Sequence, residues 1–165
     1  MENIMGLLRI RVKKGANLAV RDTRSSDPFV VVSMGAQMLK TNTVHDNIHP
    51  EWNDELTLAI ANPDLIILLG VYDKDTFTVD DPMGDAEIDI KPYLESLKGK
   101  PQALPDGTVV SKVKPTRENC LAEESSIYWK NGKLIQDMCL RLRNTKGGEV
   151  QIQIEWIHVP GSKGL

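Results

Sequence analysis

Five stretches of this chain alternate apolar and polar residues with a period of two: Leu8, Ile10, Val12; Leu56, Leu58, Ile60; Ala86, Ile88, Ile90; Met138, Leu140, Leu142; and Val150, Ile152, Ile154, Trp156. That period puts successive side chains on opposite faces, so each stretch predicts a strand with one buried and one wet face. The β-branched run Phe29-Val30-Val31-Val32 predicts a buried strand, Met38 to Val44 another, and the apolar run Leu65 to Tyr72 a third. Ile127 to Lys130, then Asn131-Gly132, then Lys133 to Ile135 predicts a hairpin, because Asn-Gly suits a type I′ turn. About eight closely spaced strands with almost no helix predict an all-β antiparallel sandwich whose loops gather at its two ends.

The rhythm breaks once. Lys91 to Leu97, with Pro92 near its start, predicts a short helix. Residues 98–126 carry Pro101, Pro105, Gly107 and Pro115 without strong periodicity, and Asn119 to Ser125 predicts a helical turn. The region is expected to be an insertion of ordered loop and short elements within one domain spanning residues 1–165, since long loops in compact domains are usually functional or disordered. No apolar run approaches the length of a membrane span, and Met1-Glu2-Asn3-Ile4-Met5 has no secretory character. Two cysteines, Cys120 and Cys139, suggest reduced thiols in a cytosolic protein.

Charge is unevenly spread. Residues 51–99 hold three basic and twelve acidic side chains, a balance of −9, while the flanking regions are each +3. An acidic middle argues against nucleic acid and against direct attraction to anionic lipid, unless cations neutralise it. The acidity concentrates in two loops, Arg21 to Phe29 and Tyr72 to Gly84, which together contain Asp22, Asp27, Asp73, Asp75 and Asp81. Calcium takes about six to eight hard oxygen ligands, which carboxylates, carbonyls and water supply. A lone Asp is an ordinary turn former. Clustered carboxylates, however, repel and raise each other's pKa unless a cation is present. Spacing alone leaves both readings open. The 73–81 segment lacks the glycine and terminal glutamate of an EF-hand, and its flanks are strands rather than helices.

Ser26-Asp27-Pro28-Phe29-Val30, Pro50-Glu51-Trp52-Asn53, and Tyr72-Asp73-Lys74-Asp75 followed by Asp81 and Met83-Gly84 resemble the C2 domain, over residues 4–95 and 127–157. The insertion at 91–145, with Asn119 to Ser125, more specifically resembles the small plant C2-domain abscisic-acid-related proteins. The resemblance implies an eight-stranded sandwich that binds about two Ca2+ ions and then anionic phospholipid. Asp22 and Asp27 fall on first-loop ligands, and Asp73, Asp75 and Asp81 on third-loop ligands. It further implies recruitment of abscisic acid receptors to the plasma membrane through the insertion, with a cytoplasmic and also nuclear location. A relative in that family is linked to stimulating a small GTPase-like protein. The 38–44 segment departs from the basic pattern of such proteins, with Met38 and Asn42 beside a single Lys40, which argues against a calcium-independent phosphoinositide site.

The implied mechanism is electrostatic. Five aspartates repel anionic lipid; two calcium ions would add +4 and offer open positions to headgroup oxygens. Phe77, at the apex of the main loop, would bury its ring at the headgroup boundary for about 1.5–3 kcal/mol. Arg24 would add about 1 kcal/mol near an anionic surface. Lys40 completes the expected lipid contacts, and Trp52 is expected in the core. The alternative is a regulator of a GTPase that lends an arginine, from among Arg21, Arg24, Arg117, Arg141 and Arg143. No phosphate-cradling loop or nucleophile elbow supports an enzyme.

Overall fold

The computed structural model describes residues 3–19, 26–75, 79–99 and 102–165. Ten strands and one helix form in the order β1 (Gly6–Ala16), β2 (Pro28–Met34), β3 (Gln37–Lys40), β4 (Glu51–Ile60), β5 (Ile67–Asp73), β6 (Asp81–Ile88), α1 (Lys91–Gly99), β7 (Val109–Val113), β8 (Ser125–Lys130), β9 (Lys133–Arg141) and β10 (Glu149–Ile157). A six-stranded sheet runs β4-β1-β10-β9-β8-β7, and a four-stranded sheet runs β3-β2-β5-β6. Every pairing is antiparallel. The period-two residues face inward: Leu8, Ile10 and Val12 meet Leu58, Leu69, Ile152 and Ile154 in a shared core.

The sandwich expected from the sequence is present, with one strand added, two expected strands merged and three corrections. Residues 98–126 contain β7, a five-residue edge strand with none of its residues fully buried, so the hydrophobic pattern carried no clear signal for it. The stretches expected separately over Lys133–Ile135 and Met138–Leu142 are one strand, β9, which ends at Arg141. The strand expected over Met38–Val44 ends at Lys40; residues 41–44 stay extended but bond β2 only at intervals, through Thr41 N–H to Val30 O and Val44 N–H to Pro28 O. The run Leu65–Tyr72 is not a wholly buried strand. β5 starts at Ile67, and only Ile67, Leu69 and Val71 of its aliphatic residues are buried, because the outer face of this sheet is uncovered. Asn119–Ser125 is not helical: Asn119 Oδ1 accepts the N–H groups of Thr116 and Leu121, and Cys120 adopts φ 58°.

The Asn131-Gly132 turn has φ of 52° and 76°, as a type I′ hairpin requires. Asp89 Oδ1 accepts the Lys91 N–H and caps α1, whose Tyr93 and Leu94 enter the core. The two sheets are joined at one seam by a short bridge between Asp85 of β6 and Arg143 just beyond β9. Gly84, at φ 120°, permits it: a Cβ there would stand 2.8 Å from the Thr145 methyl. A Gly84→Ala substitution is therefore expected to lower the thermal midpoint by several degrees, read by differential scanning calorimetry.

Candidate metal and membrane site

Three neighbouring strands bring the acidic residues together. Pro28 pairs with Asp73, and Asp73 pairs with Asp81, so Asp27, Asp73 and Asp81 lie along one end of the four-stranded sheet. Asp75 follows two residues beyond Asp73. Arg21, Asp22, Arg24 and Phe77 lie outside the described residues.

The site is organised by carboxylate-to-amide hydrogen bonds. Asp73 is only 6% exposed, and its Oδ1 accepts the Asp27 N–H at 2.8 Å. Asp27 Oδ1 in turn accepts the Asp46 N–H at 2.8 Å. Asp80 Oδ1 accepts the Asp75 N–H at 2.8 Å. Backbone bonds from Lys74 N–H to Asp27 O and from Asn47 N–H to Ser26 O close the arrangement. The Ser26 hydroxyl is buried beside Asp27 without a hydrogen-bond partner among the described residues.

Sequence reasoning missed the contribution of residues 41–50. The sequence marks that segment only as the end of a strand and a turn, yet it supplies the amides of Asp46 and Asn47, and His45 Nδ1 sits 3.8 Å from Asp27 Oδ2. His49 accepts the Asn17 N–H on Nδ1 at 3.1 Å. Trp52 is in the core, as expected, and its Nε1–H donates to Pro28 O at 3.0 Å, pinning the backbone directly after Asp27. Asn53, at φ 49°, belongs to the irregular stretch where β1 and β4 shift register, which turns Trp52 inward.

Beside the carboxylates lies a shallow depression of about 230 Å³ lined by Lys40, Lys74, Phe29 and residues 41–43. Phe29 stacks on Tyr72 with ring centroids 5.8 Å apart, and Lys74 Nζ lies 6.0 Å over the Phe29 ring. Lys74 Nζ is also 3.6 Å from Asp80 Oδ2. Lys40 therefore has a second lysine beside it, one that is 34 residues away in sequence and that spacing alone did not connect to it.

Carboxylate oxygens, with backbone carbonyls nearby, form a hard donor set that suits calcium. Opposed carboxylates on adjacent strands are otherwise unfavourable. Among the described residues, no three His, Cys, Asp or Glu side chains converge closely enough to hold an ion. Both cysteines are free and buried. Burial and the adjoining Glu149 push the Cys139 thiol up to about 12, so it stays protonated at neutral pH. Among the described residues, no helix is long and apolar enough to cross a membrane.

The C2 domain family model matches residues 6–105. The chain is 57% identical over 165 residues to Protein C2-DOMAIN ABA-RELATED 4 of Arabidopsis thaliana, covering all of this chain and 93% of that protein. It is 55% identical over 163 residues to GTPase activating protein 1 of Oryza sativa subsp. japonica, covering 99% and 98%. Among solved structures, the calcium-bound pair of C2 domains of Extended-Synaptotagmin 2 superposes with a TM-score of 0.63 at 19% identity, covering 94% of this chain and 47% of that one.

Proposed function

The chain belongs to the C2 domain family, within the group of plant C2-domain ABA-related proteins, and from that premise we propose that it binds calcium on its acidic loops, attaches to anionic phospholipid, and carries a protein partner to the membrane. The observation that carries the reading is the register Pro28–Asp73–Asp81, which sets carboxylates side by side on three chain segments. Asp27, Asp73, Asp75 and Asp81, with Asp22 from the first loop, would hold about two ions. Asp73 and Asp27 each commit one oxygen to a backbone amide, which fixes their orientation before any ion arrives. Calcium, when bound, supplies positive charge and open positions for headgroup oxygens. Lys40 and Lys74 stand beside the loops to meet lipid phosphate, and Arg24 and Phe77 extend the same face in this reading.

The test is co-sedimentation with phosphatidylserine vesicles. Binding is expected with calcium and is lost with chelator; equal binding in both conditions overturns the metal role. The Lys40→Ala/Lys74→Ala variant is expected to keep calcium dependence but bind roughly tenfold more weakly. Each lysine near an anionic surface contributes about 1 kcal/mol, and Lys74 less because Asp80 already engages it.

The partner surface in this reading is the 91–145 insertion, and the partner is an abscisic acid receptor at the cytoplasmic face of the plasma membrane, with a nuclear pool. Alanine substitution across the exposed residues 114–118 is expected to remove receptor from a pull-down while leaving vesicle binding intact. The rice relative's name favours a second reading, stimulation of a small GTPase-like protein. Arg143 is held by Asp85 and Glu87, and Arg141 by Leu121 O, which leaves exposed Arg117 as the described arginine best placed to reach a partner. Unchanged single-turnover GTP hydrolysis on adding the wild-type chain would eliminate this reading.

A further inference from the structure

Far from the acidic loops, at the other end of β6, a groove of about 390 Å³ runs between the β4–β5 connection, the end of β6 and the turn at 116–119. Its floor is apolar, made by buried Ile67, Ile88 and Ile90, and its lip carries Leu65 and Ile66, which are 46% and 60% exposed. The apolar surface continues outward. Met38 and Leu68 flank Ser33 in the sheet, Leu68 sits opposite Glu87, and the two are 73% and 42% exposed. Solitary exposed hydrophobics are common, but four in one strip beside a groove are the mark of a contact surface.

One wall is an open sheet edge. Asp85 exchanges both main-chain bonds with Arg143, at 3.1 and 2.7 Å, so its N–H and C=O face away from β5. Two residues on, Glu87 turns the same way. The antiparallel register would set Arg141 opposite Glu87, but the Arg141 N–H donates to Cys120 O instead, and among the described residues no backbone partner meets Glu87 on that side. An unpaired edge over an apolar floor is the template for an added strand. The opposite wall is preorganised: Asn119 ties down Thr116 and Leu121 and donates to Lys114 O.

Charge specifies the occupant. Among the described residues, Asp64, Glu87, Asp89 and Glu118 line the groove against a single lysine, Lys91. Of those four carboxylates, Arg143 answers Glu87, at 3.6 Å. We propose that this groove binds an extended segment of a partner protein in which lysine or arginine alternates with aliphatic residues, added as an antiparallel or parallel strand along β6 with its aliphatic side chains over Ile67, Ile88 and Ile90. The site shares Lys91 and the 116–119 wall with the 91–145 surface proposed above, needs neither calcium nor lipid, and is tested separately from them.

The experiment uses the full chain in saturating calcium and 0.15 M salt, with a fluorescein-labelled heptapeptide of alternating lysine and valine. Fluorescence anisotropy is expected to show saturable binding. Amide hydrogen exchange is expected to slow at Glu87 on adding peptide. The same peptide N-methylated on alternate residues keeps its charge but cannot pair, and is expected to lose at least tenfold in affinity. Asp64→Lys/Glu118→Lys and Ile66→Ser, both at exposed positions, are expected to weaken binding by tenfold or more. Glu87→Pro, which removes an N–H outside the ladder, is expected to do the same with an unchanged thermal midpoint. The proposal is overturned by absence of saturable binding, by equal binding of the N-methylated peptide, or by protection confined to residues 73–81. A chain that dimerises through this edge in sedimentation, and is blocked by Glu87→Pro, would also overturn it in favour of self-association.

Discussion

Replacing Asp73 with asparagine is expected to abolish calcium-dependent sedimentation with phosphatidylserine vesicles. Asparagine keeps the shape and an acceptor for the Asp27 N–H, so the backbone arrangement survives while the charge is removed. Asp73 is the central carboxylate of the row, flanked by Pro28 on one strand and Asp81 on the other, and it is almost fully buried. Its loss would therefore remove the proposed ligand whose strand has paired neighbours on both sides. Two readouts separate fold from binding. In chelator, the variant is expected to melt at the wild-type temperature or slightly above it, because one member of a crowd of like charges is gone. With calcium at about a hundred times its dissociation constant, the wild-type chain gains roughly 2.7 kcal/mol of stability by linkage. For a chain of this size that amounts to about 5–10 °C in Tm. The variant is expected to show no such rise. The double substitution Asp73→Ala/Asp75→Ala is expected to give the same loss of vesicle binding. Undiminished calcium-dependent sedimentation in either variant would remove the acidic loops from the mechanism.

The second large effect concerns stability. Tyr93 on α1 has no exposed surface, donates its hydroxyl to Leu134 O at 2.7 Å and accepts the Trp156 N–H at 2.8 Å. One side chain thus satisfies β9 and β10 together while filling the core under the helix. Tyr93→Phe leaves a buried carbonyl and amide without partners and is expected to cost about 1–3 kcal/mol. Tyr93→Ala adds a cavity, for a total of about 3–5 kcal/mol. Urea denaturation monitored by tryptophan fluorescence measures both; a loss below about 0.5 kcal/mol for Tyr93→Ala would contradict the packing described here.

Burial also raises the Tyr93 pKa far above the usual tyrosine range, and burial with the Asp137 contact pushes Tyr128 up to about 12. The folded chain holds these protons more tightly than the unfolded one. Their contribution is therefore complete below about pH 10, the ordinary tyrosine value, and is lost as pH rises from there through about 12 and beyond. The urea midpoint is expected to fall across that interval.

The architecture was legible wherever one face of a strand is buried and the other wet, as in β1, β4, β6 and β10, because burial imposes the period. It was illegible in β7, a short edge strand with none of its residues fully buried and with β8 as its sole sheet neighbour. Leu65 to Leu68 misled for the opposite reason: apolar residues there signal burial, yet Leu65, Ile66 and Leu68 serve an outer surface. At the acidic end, the aspartates were visible as a local excess of charge. The parts supplied by distant segments were not. The Asp46 amide, the Trp52 anchor and Lys74 beside Lys40 depend on register between strands, which a linear pattern does not encode.

The strand order carries a consequence for synthesis. β10 lies between β1 and β9 in the six-stranded sheet, so Leu7 pairs with Ile157, at the far end of the chain. Until Glu149–Ile157 has left the ribosome, β1 and β9 each present an open edge. At about 5–20 residues per second, a chain of this length spends roughly 8–33 seconds being made. For nearly all of that time its N-terminal strand lacks one of its two partners, exposing an apolar edge that other nascent chains can pair with. Chaperone engagement before β10 is made, and sensitivity of yield to any slowing of the codons for Glu149–Ile157, follow from the placement of one strand.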